Sequence, residues 1–178
     1  MPSSSPKKKL LLLGSTGKMG LALENAFKKT FDVVGKNSKD FDAASSETID
    51  PLIEKICPDI VVNTVAYLGI DPCELEPDKA LHINTIFPKH LAELSKKKGF
   101  IIAHLSTDAV FPDAERSSFT ENDSPRPQNM YGLTKFGGDS FIQSIASQHY
   151  IFRLPVLFGP SNKNNQFVDA EYYLHNAL

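Results

Sequence analysis

Tyr131 and Lys135 form a pair of side chains with complementary acid–base chemistry. They are four positions apart in a stretch with helical spacing of apolar residues, so both side chains face the same side of a helix. A tyrosine exchanges a proton near neutral pH only when its phenolate is stabilised, and a neighbouring ammonium group provides that stabilisation. The pair could therefore protonate a carbonyl oxygen while a hydride reaches the carbonyl carbon. The same spacing also fits an ordinary pair on a helix surface.

A hydroxyl group upstream could act on the same carbonyl. Thr107 follows the apolar run 100–105, which predicts a buried strand, and its hydroxyl could donate a hydrogen bond to the carbonyl oxygen. Ser106 competes with Thr107 for this role. Either side chain could instead cap a turn.

A glycine-rich turn near the start of the chain could bind the source of the hydride. The apolar run 10–13 is followed by glycines at three-residue spacing, and helical periodicity begins after them. Gly14 would allow a sharp turn, Gly17 would leave room for a pyrophosphate, and Gly20 would let the helix pack closely on the strand. The predicted contacts are Gly14, Ser15, Thr16, Gly17, Lys18, Met19 and Gly20. A purely structural turn remains the alternative.

Lys36 and Asn37 follow a second predicted strand, residues 31–35. In a dinucleotide fold this position meets the adenosine ribose, where an acid selects NAD and a cation accommodates a 2′-phosphate. The lysine favours NADP, although an exposed surface lysine would give the same pattern.

Strands and helices alternate along the chain, which predicts one α/β domain with a mainly parallel sheet. Strands are expected at 10–13, 31–35, 59–66, 100–105 and 150–158, with helices after Gly17 and at 45–56, 78–98 and 131–148. Pro88 is expected to kink the third helix, and 67–77 and 111–130 are expected to be loops. The doubly wound fold suggests the strand order 3-2-1-4-5-6. We expect residues 1–9 to form a disordered tail and residues 10–178 to form the domain.

The composition narrows the class of function. A formal net charge of -2 over 178 residues gives no reason to expect nucleic acid or an anionic membrane surface as a partner. Cys57 and Cys73 are too few for a disulfide framework or a zinc site, so we expect a cytoplasmic protein without a metal. The apolar run 10–13 is too short for a signal peptide.

Five motifs taken together resemble the extended short-chain dehydrogenase/reductases. They are Gly14 to Gly20, Pro58 to Asn63, S-T-D-A-V-F at 106–111, Y-G-L-T-K at 131–135 and Ile151 to Arg153. Their order and spacing are most similar to the dTDP-4-dehydrorhamnose reductase family, over residues 8–167.

The resemblance implies a Rossmann-type fold and reduction of the 4-keto group of a nucleotide-linked deoxysugar with NADP(H); it leaves NAD(H) and a homodimer open. Tyr131 would be the general acid, Lys135 would lower its pKa and hold the nicotinamide ribose, and Thr107 would orient the carbonyl. Asp42 would approach the adenine. The cofactor would be lined by Asn63, Thr64, Val65 and Ala66, although Val65 fits an apolar core equally well.

The chain departs from the family pattern in three places. Ala109 replaces an aromatic residue, and Leu68-Gly69-Ile70 replaces a Thr-x-Val sequence in a loop that faces the substrate. The family also continues well beyond the length of this chain. We therefore expect most of the family's C-terminal substrate lobe to be absent here, either because the chain is a fragment of a longer protein or because it is a shortened homologue with no complete substrate half.

Two other functions fit the same motifs. The sequence from Arg153 to Gly159 is similar to the non-catalytic regulatory β-subunit of methionine adenosyltransferase, which shares this fold. A nucleotide-sugar epimerase or dehydratase would use the same tyrosine and lysine with a tightly held NAD. Lys36 and the S-T-D motif argue against the second alternative.

Overall fold

The computed structural model describes residues 6–113 and 118–157 and contains a parallel sheet of five strands. The strands are β1 (Lys9–Leu13), β2 (Asp32–Lys36), β3 (Ile60–Asn63), β4 (Ile101–Thr107) and β5 (His149–Leu154). The helices are α1 (Lys18–Phe27), α2 (Asp50–Ile56), α3 (Ile70–Leu75), α4 (Pro77–Leu81), α5 (Phe87–Lys98) and α6 (Met130–Ile145). Short 3-10 turns cover Ser46–Thr48 and Asp108–Val110. The expected α/β class is confirmed.

The strand order is β2-β1-β3-β4-β5, so the order predicted by analogy, 3-2-1-4-5-6, is wrong. The faces on which the first two helices pack explain the difference. Residues of α1 cover the side of β1 that carries Leu10 and Leu12, whereas α2 covers the side that carries Leu11 and Leu13. The crossovers through α1 and α2 lie on opposite faces of the sheet, and right-handed crossovers on opposite faces run in opposite directions. Strand β3 therefore lies on the other side of β1 from β2.

The larger part of the core lies between the sheet and three helices. Leu11, Leu13, Val61 and Ile102 point to this side and pack with buried residues of α2, α5 and α6. Phe41 stacks on Phe87 here at 5.7 Å between ring centroids. Because successive side chains alternate across a strand, the polar residues His104 and Ser106 of β4 point to this side as well.

Strand β3 ends at Asn63, three residues earlier than predicted. Side chains add hydrogen bonds there: Asn63 Oδ1 accepts the Val65 N–H at 3.0 Å, and Leu13 O accepts both the Thr64 hydroxyl at 2.8 Å and the Thr64 N–H at 3.1 Å. The expected loop 67–77 contains α3, so that prediction is also wrong. Pro72 lies in the first turn of α3, where its missing N–H costs no hydrogen bond.

The long helix predicted at 78–98 is divided by one π-helical turn, His82–Ile86. The turn lies immediately before α5, which has Pro88 in its first turn and is capped at its carboxyl end by Gly99, with φ of +86°. The helix is therefore interrupted close to the expected kink at Pro88, but the interruption is a turn of π-helix that precedes the proline.

Lys9, placed in the predicted tail, is the first residue of β1. Its N–H donates to Asp59 at 2.7 Å and its ammonium donates to Ile56 O at 2.9 Å. Residues 1–5 and the last part of the predicted fifth strand, Phe158, lie outside the described residues. Strand β5 ends at Leu154, before Pro155. Within the described ranges, none of the helices has the length and apolar character needed to cross a membrane.

Candidate active site and cofactor site

Strands β1, β3 and β4 are neighbours and parallel, so their carboxyl ends meet at one edge of the sheet. This arrangement brings the glycine turn after β1, the segment after Asn63 and the S-T-D motif of β4 to the same edge. Ligands of open α/β sheets bind outside the carboxyl ends of the strands. The three segments predicted to contribute to the site therefore lie at the edge of the sheet where such ligands bind.

The glycine turn is closed on the protein side and open on the solvent side. Gly14 has φ of +83°, and a Cβ there would lie 2.4 Å from the Thr64 hydroxyl oxygen. A Cβ at Gly20 would lie 2.2 Å from Gly14 O, so both positions require glycine. At the exposed Gly17 a Cβ would meet only Gly14 O, at 3.3 Å.

Helix α1 begins directly beyond this turn, and Gly17, its N-cap residue, supplies no side-chain hydrogen bond. Thr16 and Lys18 are exposed on the same turn, Ser15 is buried and Met19 is half-buried. The N–H groups of a helix start attract anions, and the bare backbone at Gly17 leaves room for one. The turn thus fits a pyrophosphate.

Lys36 and Asn37 lie at the carboxyl end of β2, next to the glycine turn. The Lys36 carbonyl accepts the N–H groups of Gly14 and Ser15 at 2.9 and 3.0 Å, which ties the two segments together. The Lys36 ammonium is 2.8 Å from Asp40 Oδ1, and this hydrogen bond holds the pKa of Asp40 below its usual range. Asp42 is exposed a few residues further along.

The four residues predicted to line the cofactor after β3 have different environments. The Asn63 side chain is fully buried and bonded internally, and Val65 packs against the main core. Thr64 and Ala66 are half-buried, and Thr64 supports Gly14 as described above. Val65 was predicted either to line the cofactor or to fill the core. Its side chain packs in the core.

Ser106 and Thr107 have different partners because consecutive strand residues face opposite sides of the sheet. The Ser106 hydroxyl donates to the buried Asp139 carboxylate at 2.9 Å. The Thr107 hydroxyl oxygen accepts the Ala109 N–H and donates to Asp108, both at 3.2 Å. Thr107 therefore caps the turn at the edge of the sheet, whereas the Ser106 hydroxyl is bound inside the protein.

Helix α6 starts against that turn. A Cβ at Gly132 would lie 2.2 Å from Ala109 O, so the first turn of α6 touches the backbone that follows Thr107. Asn129 caps the helix by accepting the Gly132 N–H at 2.8 Å, and Glu74 of α3 accepts the Met130 N–H at 2.8 Å. This contact brings the half-buried Tyr131 to the same edge as Thr107.

Lys135 lies one turn further into α6 and is only 1% exposed. Its ammonium donates to Leu105 O on β4 at 2.6 Å and lies 3.3 Å from His104 Nε2. Burial lowers the pKa of Lys135 to about 8, although the Asp139 carboxylate opposes this effect. The lysine predicted to assist Tyr131 is thus held between α6 and β4.

A buried polar cluster around Lys135 was missed in the sequence. Asp139 accepts hydrogen bonds from Ser106 and from Arg153 Nε at 3.2 Å, and burial raises its pKa. His104 is fully buried, with its Nδ1 3.1 Å from Asn63 Nδ2. The spacing of Tyr131, Lys135 and Asp139 at every fourth position could have revealed part of this cluster.

Asn84, in the π-helical turn, is a second residue that sequence reasoning missed. Its fully buried amide accepts the Tyr67 N–H at 2.8 Å, and donates to Tyr67 O at 3.0 Å and to the Thr134 hydroxyl at 3.2 Å. It therefore ties the segment after β3 to the part of α6 between Tyr131 and Lys135. Such turns often occur at functional sites.

A comparison with protein families agrees with this geometry. The family model described as the RmlD substrate binding domain matches residues 8–172, which include every element of the site. The chain belongs to this family.

The RmlD-family relatives with similar sequences include dTDP-4-dehydrorhamnose reductases. The protein from Shigella flexneri is 32% identical over 162 residues, which cover 89% of this chain and 54% of the relative. The protein from Escherichia coli K12 is 33% identical over 165 residues, with the same coverage. The chain thus spans about half the length of these relatives.

Solved structures give the same match. The dTDP-4-dehydrorhamnose reductase of Bacillus anthracis, in complex with NADP, superimposes with a TM-score of 0.88 at 26% identity, over 99% of this chain and 62% of that protein. The corresponding protein of Clostridium acetobutylicum has a TM-score of 0.82 at 30% identity, over 95% and 60%. The resemblance to this family predicted from the motifs is confirmed.

Proposed function

We propose that this chain is the cofactor-binding and proton-donating part of an NADPH-dependent reductase that acts on the 4-keto group of a nucleotide-linked deoxysugar. The observation that carries the proposal is the contact between Gly132 and Ala109, which packs the first turn of α6, where Tyr131 lies, against the backbone that follows Thr107. The similarity to dTDP-4-dehydrorhamnose reductases, one of them solved with NADP, supports the choice of substrate and cofactor.

The glycine turn and the segment after β3 would hold the cofactor. The bare backbone at Gly17 and the start of α1 suit its pyrophosphate, and Lys36 suits a 2′-phosphate that takes the place of Asp40 as partner of the ammonium. Asn37 and Asp42 would border the adenosine half. NADPH, when bound, supplies the hydride.

Three side chains would complete the reduction. The Thr107 hydroxyl would orient the substrate carbonyl by donating to its oxygen, in exchange for its hydrogen bond to Asp108. Tyr131 would then transfer its phenolic proton to that oxygen as negative charge develops there. The Lys135 ammonium would stabilise the phenolate that remains.

The proposal is tested by mixing the chain with NADPH and dTDP-4-dehydrorhamnose and following the absorbance of NADPH. We expect consumption that depends on the sugar and that falls by about 10²–10⁴-fold in the Tyr131→Phe variant, because general acid catalysis contributes about that much. Equal rates in the two proteins would exclude Tyr131 as the proton donor. Absence of consumption in the wild-type chain, with NADPH bound, would place the reductase activity outside this chain.

A further inference from the structure

The imidazole of His104 is fixed in one protonation form by its neighbour on β3. Asn63 and His104 are paired residues of adjacent strands. Asn63 Oδ1 accepts the Val65 N–H at 3.0 Å, which turns Asn63 Nδ2 towards His104 Nδ1 at 3.1 Å. An amide nitrogen can only donate, so His104 Nδ1 accepts and carries no proton.

The remaining ring proton is therefore on Nε2. His104 is fully buried, and burial together with the nearby Lys135 holds its pKa well below the ordinary value. The ring is neutral at physiological pH and carries a single proton. Because Nδ1 is an acceptor, Nε2 must be the donor.

This donor points at Lys135. His104 Nε2 lies 3.3 Å from Lys135 Nζ and 3.9 Å from Asp139 Oδ1, which has no hydrogen-bond partner among the described residues. An ammonium group offers only protons to an N–H group, whereas a neutral amine offers a lone pair. The inner position of Lys135 is therefore compatible with the neutral amine and unfavourable for the ammonium.

We propose that His104 is a positioning residue for Lys135: its Nε2–H, fixed by Asn63, holds Lys135 between β4 and α6 as a neutral amine and directs the ammonium form outwards, to Tyr131. The catalytic role of this positioning rests on the proposed function. The protonation states of His104 and Lys135 do not depend on it.

The other charged groups around Lys135 are consistent with a lysine that changes its protonation. Asp139 faces it from α6: its Oδ2 accepts from Ser106 and from Arg153 of β5, whereas its Oδ1 has no hydrogen-bond partner in the described part of the chain. Tyr131 lies one turn away on the same helix. With a pKa of about 8, the lysine can exchange its proton near physiological pH.

Nitrogen-15 NMR of labelled histidine in the whole chain tests the first step, since it distinguishes a protonated from a bare ring nitrogen. His104 can be assigned by the loss of its signals in His104→Gln. We expect a proton on Nε2 and none on Nδ1 in the wild-type chain between pH 6 and 9 (roughly the range of neutral imidazole). A proton on Nδ1 would overturn the proposal, and this measurement needs no variant of Asn63.

The second step is tested by titrating Lys135 through the ε-carbon of carbon-13-labelled lysine. Asn63→Leu removes the donor that fixes His104, so Nε2 becomes free to accept from the ammonium. We expect the proton affinity of Lys135 to rise about tenfold or more, which corresponds to one hydrogen bond to a charged group. The matched control is Ser95→Ala, which removes a buried hydrogen bond to Phe100 O near the amino end of β4 and should change that affinity less than about twofold.

The outcomes are distinguishable from those of the proposed function because neither measurement uses cofactor or substrate. An unchanged Lys135 titration in folded Asn63→Leu, or equal shifts in both variants, would overturn the positioning role. If the NMR results are as expected and no sugar is reduced, the proposed function fails while the arrangement of His104 and Lys135 stands.

Discussion

Gly132 packs against Ala109 so closely that a methyl group at position 132 would lie 2.2 Å from the Ala109 carbonyl oxygen. This contact joins the first turn of α6 to the backbone after β4. It fixes the distance between the helix that carries Tyr131 and Lys135 and the strand that ends in Thr107. The positioning of the site therefore depends on a residue that performs no chemistry.

Gly132→Ala should destabilise the protein and displace α6. The added Cβ meets backbone atoms, which cannot rotate away, and overpacking of this kind costs about 1–3 kcal/mol. Urea unfolding measures the loss. Leu133→Ala, at an exposed neighbour on the same helix, is the matched control and should change the free energy of unfolding by about 0.5 kcal/mol or less. Equal losses in both variants would contradict the close contact.

Lys36→Ala should reduce the preference for NADPH over NADH about tenfold or more, the value of one hydrogen bond to a charged group. The ammonium now bound to Asp40 is the group available to a 2′-phosphate. Calorimetric titration with both cofactors measures the ratio of dissociation constants. Lys39→Ala removes an exposed charge from the same turn and should leave the ratio within about twofold. A ratio unaffected by Lys36→Ala would show that selectivity lies elsewhere.

Lys135 should make stability depend on pH on the alkaline side. Its pKa is 10.5 in an unfolded chain and about 8 in the folded protein. Between these values the unfolded chain binds more protons, so the free energy of unfolding rises with pH, and below pH 8 the buried charge is a net cost. The effect is on the order of 3 kcal/mol across the window.

The measurement is urea unfolding at several pH values between 8 and 10.5 for the wild type and Lys135→Met. The rise due to this group should be absent in Lys135→Met. Lys97→Met, which removes an exposed lysine of α5, should keep the pH dependence of the wild type. A parallel pH dependence in the wild type and Lys135→Met would contradict the depressed pKa.

Asn84→Ala should destabilise the site more than the fold as a whole. It removes the partners of both backbone groups of Tyr67, at a cost of about 1–3 kcal/mol for each polar group left unpaired. Hydrogen exchange should show earlier opening of the segment 64–69 and of the first turns of α6. Asn25→Ala, on the exposed face of α1, should leave both regions unchanged. Uniform loss of protection would argue against a local clamp.

The sequence alone predicts those elements that are marked by a pattern within one short segment. The run 10–13, the glycines after it and the spacing of Tyr131 and Lys135 each depend on neighbouring residues, and each lies where predicted. The strand order depends on which face each helix covers, which no short segment determines. Strand β3 ends early where the Asn63 side chain accepts the nearby Val65 N–H and the Thr64 hydroxyl donates to Leu13 O of β1, and only the second of these contacts comes from elsewhere in the fold.

The buried cluster was missed for a related reason. His104 follows the apolar residues 100–103 of a strand that reads as buried, so no local pattern marks it, and Asp139 is indicated only by its four-residue spacing from Lys135. Only the pairing of β3 with β4 brings Asn63 to His104, and only the packing of α6 brings Lys135 to both.

The binding of NADPH to the wild type and to Gly17→Val tests the central claim most directly. The backbone of Gly17, with φ of -73° and ψ of 165°, is one that any residue adopts, and its Cβ would meet only Gly14 O, at 3.3 Å, so a small shift of the exposed turn should let the variant fold. We predict that the wild type binds NADPH more tightly than NADH, and that Gly17→Val keeps the melting temperature while losing about tenfold or more in affinity, because its side chain occupies the place of the pyrophosphate. Equal affinities in the two proteins, or no binding of either cofactor to the wild type, would contradict the account.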